Sequence, residues 1–142
     1  MIGVGNDLRG DDAAGLRVAR ALADEAEVRE LEGEPVGLMD AWDGFERAIL
    51  VDATQSGAAP GTVLRIAAHE APLPPEMRRA STHLLGVADA VELARTLEKL
   101  PPWTVVYGIE GACFDTGAAL SPEVESAVGE VAAAIREELA GA

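Results

Sequence analysis

Arg47-Ala48-Ile49-Leu50-Val51-Asp52 decides the fold. It is a continuous apolar run closed by a carboxylate, the pattern of a central strand covered on both faces. Such a strand needs helices on either side, and strand-like and helix-like segments alternate along the rest of the chain. The expectation is one α/β domain over residues 1–142 with a largely parallel sheet.

Upstream, Met1 to Gly5 reads as a first strand, short enough to raise the expectation that a few residues precede it. A helix is expected from about Asp12, because Gly15, Val18, Ala19 and Leu22 recur at helical spacing while Arg17, Arg20 and Asp24 lie opposite. Val28 to Leu31 reads as a second strand, and a brief helix follows near Leu38 to Trp42. Downstream, Ser56 to Gly61 is loop chemistry, and Thr62 to Ala67 a fourth strand. The connection is too short for a crossover helix, so that strand is expected to run antiparallel. Five of the eleven residues from His69 to Arg79 are Pro or Glu, which reads as an exposed loop with His69 solvated and without acidic company. A second long helix is expected after Ser81-Thr82, with Leu84, Val87, Ala88 and Val91 inward, and Pro101-Pro102 ends it. Trp103 to Ile109 is the fifth strand. Ser121-Pro122 opens the last helix as cap and first residue, with Val124, Val128, Val131, Ile135 and Leu139 as its buried stripe.

Bulk properties narrow the function. The hydrophobic fraction of 49% supports a proper core, and aromatics of only 4% make that core aliphatic. A net charge of −14 repels phosphate backbones, so nucleic acid is not an expected partner. The charge serves solubility first; the alternative is steering toward a basic peptide or a cation. A single cysteine, Cys113, excludes an internal disulfide and a cysteine metal cage. No run approaches the ~20 apolar residues of a membrane span, and the opening residues lack a basic, long-apolar leader. The cytoplasm is the default location.

In open α/β sheets ligands bind beyond the carboxyl ends of the strands. Asp11 and Asp12 follow the first strand, Asp52 closes the third, and His83 opens the helix before the fifth. Each also has a plain structural reading. One of the paired aspartates would cap the helix while the other complements its dipole. Asp52 would anchor the Ala53-Thr54-Gln55 turn, and His83 would be a capping histidine. Together, two carboxylates and one neutral imidazole match a divalent cation, and such ligands admit zinc, manganese or nickel. A phosphate-binding reading fails: after Gly3 and Gly5 the dinucleotide fingerprint would need glycine where Leu8 stands.

The stretch Gly3-Val4-Gly5-Asn6-Asp7-Leu8-Arg9-Gly10-Asp11-Asp12-Ala13-Ala14-Gly15 resembles the opening motif of the hydrogenase maturation proteases, G-x-G-N-x-x-x-x-D-[DE]-x-x-G. Ala48 through Asp52 with Ala59-Pro60-Gly61-Thr62, and Ser81 through Val87, resemble that family's second and third blocks. The resemblance implies a three-layer α/β/α sandwich with a five-stranded, mostly parallel mixed sheet. It implies that Asp12, Asp52 and His83 are metal ligands and the catalytic centre. It implies an endopeptidase that trims the C-terminal extension of the nickel-iron hydrogenase large-subunit precursor, with nickel supplied by the substrate. Gly33-Glu34-Pro35 departs from the Gly-Gly-Thr-like turn of many members, which leaves the cognate hydrogenase open.

On that reading nickel acts as Lewis acid, or a carboxylate such as Asp11 activates water. Two rivals use the same residues. A nucleophilic hydrolase would employ Ser81, His83 and Asp52, or Cys113, although G-x-S-x-G is absent and Cys113 reads better as a buried small hydrophobe. A non-enzymatic nickel-binding or chaperone-like factor would use the three ligands without cleavage.

Overall fold

A computed structural model describes residues 1–32, 34–74 and 86–141. The chain enters through β1 (Ile2–Val4), a 3-10 turn (Gly10–Ala13) and α1 (Ala14–Ala21). β2 (Arg29–Leu31), α2 (Pro35–Trp42), β3 (Arg47–Thr54) and β4 (Val63–Ala67) follow. α3 (Val87–Thr96), β5 (Trp103–Glu110) and α4 (Pro122–Ala140) complete it.

The five strands form one sheet in the order β2-β1-β3-β5-β4. β1 lies parallel to β2 and to β3, and β3 runs parallel to β5 in unbroken register from Arg47↔Trp103 to Thr54↔Glu110. β4 is antiparallel to β5, as its short connection requires. The architecture is the expected mixed, mostly parallel sheet between two helical layers. Ile49, Val51 and Ala53 of β3 pack with Val105, Tyr107 and Ile109 of β5 beneath α1 and α4. Ala48 and Leu50 face the other way, onto α2 and α3 through Leu38, Trp42, Val87 and Val91. The apolar run of β3 is therefore buried on both faces. Each of its larger aliphatic side chains contributes roughly 1.5–3 kcal/mol by leaving water.

Details differ from the sequence expectations for physical reasons. β3 extends two residues past Asp52, because Ala53 and Thr54 still find ladder partners in Ile109 and Glu110. The first helix opens as a 3-10 turn with no side-chain cap, so Asp11 and Asp12 sit inside it instead of in front of it. Ser121 precedes α4 as expected, yet its hydroxyl is not the cap of that helix. The loop after β4 is not simply exposed. Leu73 is buried, and His69 is half-buried, stacked on Trp103 with its Nδ1 3.1 Å from the Thr104 amide and its Nε2 3.8 Å from Glu70. Cys113 is likewise half-buried and not part of the core. Ser81, His83, Leu84 and the rest of the stretch before Gly86 lie outside the described residues. Among those described, no helix is long and apolar enough to cross a membrane.

Candidate active site

The strand order reverses between β1 and β3: β1 connects outward to β2 on one side, while β3 connects to β4 and β5 on the other. A crevice opens at the carboxyl edge of such a switch point. The two motif carboxylates flank it. Asp12 lies in the 3-10 turn that follows β1, and that turn packs against β3. Asp52 lies near the end of β3 itself, in the row of Ala48 and Leu50.

Glycines make this closeness possible. A Cβ placed on Gly15 would stand 2.3 Å from the Val51 carbonyl oxygen and 2.5 Å from that of Val4. The start of α1 thus rests directly on the backbones of β1 and β3, one residue before Asp52. A Cβ on Gly5 would meet the Asp12 carbonyl oxygen at 1.9 Å. The motif's glycines are sites of backbone contact, a signal the sequence carried without revealing the partner.

Asp12 is fully buried, and Arg9 Nη1 stands 3.8 Å from its Oδ2. Asp52 is nearly so, and its Oδ1 accepts from the Ala53 amide at 2.8 Å, a contact within β3 and not with the turn its plain structural reading expected. Asp52 also borders a recess shared with Val87 and Ala88 of α3. Two hard oxygen donors at one rim suit a divalent cation. Among the described residues no three carboxylate, imidazole or thiol groups form a metal-holding set. His83, the third expected ligand, lies outside them.

Asp11 takes a role the sequence did not reveal. Its Oδ2 accepts from the amides of Ala112 (2.7 Å) and Cys113 (3.0 Å) and from the Ser121 hydroxyl (2.6 Å), while Oδ1 accepts from the Ser121 amide (2.7 Å). Burial opposes its ionisation, but the Ser121 hydroxyl and the three amides outweigh that and hold the carboxyl below the usual range. A carboxylate so engaged is a structural anchor, which corrects the expectation that Asp11 activates water.

Glu110, at the end of β5, was also missed. It is buried, and it accepts from Thr54 Oγ1, from Ser56 through amide and hydroxyl, and from the Gly57 amide. It fastens the loop that leaves β3 just beyond Asp52. A glutamate at the end of an apolar strand was the available sign. Beside the rim, Gly5, Asn6, Asp7, Leu16, Glu30, Leu31 and Glu32 line an open cleft of about 450 Å³. Arg20 bridges two of these residues, Asp7 and Glu30, at 2.6 and 2.7 Å, and its hydrogen bonds keep the Asp7 carboxyl below the ordinary range.

The family model for hydrogenase maturation proteases matches residues 17–138. The chain belongs to the hydrogenase maturation protease family. It is 31% identical to the hydrogenase 2 maturation protease of Escherichia coli K12 over 150 residues, covering 96% of this chain and 90% of that one. It is 28% identical to the hydrogenase expression/formation protein HupD of Rhodobacter capsulatus, covering 96% of this chain and 69% of HupD. The fold resembles that of the nickel-iron hydrogenase maturation protease HybD from Thermococcus kodakarensis, with a TM-score of 0.75 at 30% identity over 97% of this chain and 95% of that one. The family is one of proteases.

Proposed function

We propose that this protein removes the C-terminal extension of a nickel-iron hydrogenase large-subunit precursor, in the cytoplasm, after nickel has been inserted. Asp12, Asp52 and His83 recognise the nickel carried by that substrate. The observation that supports this most is the burial of Asp12 and Asp52 on either side of the β1/β3 switch point, in a chain of a maturation protease family. Val87 and Ala88, four and five residues after His83 in sequence, border the same recess as Asp52, which supports the histidine as third ligand.

In this mechanism the substrate's nickel is a Lewis acid toward the scissile amide. Asp12 and Asp52 hold the precursor by that ion and set the cleaved bond at the rim. Their burial strengthens the attraction to a cation, since little water screens it. Arg9 must yield its place beside Asp12 as the cation arrives. The attacking water needs a base other than Asp11.

Mass spectrometry of the precursor before and after incubation tests the proposal. Nickel-loaded precursor is expected to lose its extension and nickel-free precursor to keep it; equal processing of both would remove nickel recognition. Metal uptake with no change in precursor length is the outcome of a non-enzymatic nickel-binding factor. Asp12→Asn and Asp52→Asn are each expected to reduce cleavage beyond the ~10–100-fold typical of changes behind the ligands, with the fold intact by circular dichroism.

A further inference from the structure

We infer that Asp11 is a positioning residue whose buried carboxylate clasps the Asp12-bearing turn to the segment joining β5 to α4. The inference rests on the reading of Asp12 as a ligand for substrate-borne metal.

The clasp has two sides. From the main chain, the Asp11 amide donates to the Cys113 carbonyl at 2.8 Å. From the side chain, four bonds run to Ala112, Cys113 and Ser121, about a hundred residues away in sequence. The two segments also touch closely on either side. A Cβ on Gly10 would stand 2.4 Å from the Cys113 carbonyl oxygen, and one on Gly111 would stand 3.0 Å from Asp11 Cβ. The 3-10 turn has no side-chain cap of its own, so this clasp replaces one.

Asp12 follows by a single peptide unit, and its side-chain direction depends on the backbone angles the clasp fixes. A displacement of about 1 Å at a reacting centre is enough to cost about 100-fold in rate. The chemistry also demands a carboxylate. Three donors converge on Oδ2 and one on Oδ1. An amide has one acceptor oxygen, so its NH2 group would oppose a donor in either orientation.

The test compares Asp11→Asn, Ser121→Ala and a core variant remote from the rim, Val131→Ala, on nickel-loaded precursor well below each melting temperature. Asp11→Asn is expected to lower kcat by ~10–100-fold, as for other residues that orient a metal ligand. Ser121→Ala is expected to lose several-fold, and Val131→Ala to lose thermal stability while keeping kcat. Wild-type kcat in Asp11→Asn overturns the inference. So does an equal fall of kcat in Val131→Ala, which would mark a general stability effect. If Asp11→Asn does not fold, Ser121→Ala decides, and wild-type kcat there overturns the inference. A wild-type protein that leaves the precursor uncut overturns the underlying reading, and with it this one.

Discussion

Neighbouring residues of one motif do different work. Asp11 and Asp12 are adjacent and both buried, yet Asp11 is saturated by inward donors. Sequence patterning could place both at a helix start but could not separate them, since their partners lie far along the chain. The glycines were legible as a motif, and their reason is steric. Gly15→Ala would drive a methyl group into two carbonyl oxygens that belong to sheet backbone and cannot turn aside. Its expected cost is at least the ~1–3 kcal/mol of overpacking, read as a lower urea midpoint with an unchanged m-value. A melting curve like that of the wild type would show that α1 can lift from β3 without penalty.

The strands and helices were largely readable, because apolar periodicity reports burial on each element. β3, β5 and α4 came within two residues of their expected limits, and β4 has the expected antiparallel sense. Links between elements were not readable. Glu110 ties the end of β5 to the loop after β3, and Glu110→Ala would leave the Ser56 and Gly57 amides without that acceptor. Both residues are exposed, so water replaces the acceptor and a loss of about 0.5–1.5 kcal/mol per bond is expected, with faster hydrogen exchange at both amides. Unchanged exchange there would refute the fastening role. Midway along β5, Tyr107 donates to Glu138 of α4 at 2.7 Å. Burial, then the Glu138 carboxylate, push its phenol up to about 12. A raised acid pKa means stability is complete below the unfolded value near 10 and is lost as pH rises toward 12. The chain has one tyrosine, so absorbance at 295 nm follows this group alone. A titration centred near 10 in the folded protein would contradict the contact.

Across the whole molecule, a charge of −14 makes the surface repel itself. Moderate salt, with a Debye length of about 8 Å at 0.15 M, is expected to raise the melting temperature relative to salt-free buffer. Acid acts in two senses. Partial neutralisation relieves repulsion down to about pH 5. Below that, Asp7 and Asp11, whose folded pKa values are depressed, bind protons more weakly in the folded than in the unfolded chain, so proton uptake favours unfolding. Their contribution is present above the unfolded value near 3.9 and falls away below it. Melting temperature against pH should therefore peak in the mildly acidic range and drop steeply under pH 4; a steady rise to pH 3 would exclude this balance. The sequence by itself determined the α/β class, the central buried strand, the acidic surface and the motifs of a maturation protease family. Those depend on composition, local periodicity and short-range spacing. Only the tertiary structure decided that Asp12 and Asp52 flank the β1/β3 switch point, and that Asp11 and Glu110 fasten the segments around them. Those contacts join residues about fifty to a hundred positions apart, and long-range hydrogen bonds depend on the packing of the entire sheet.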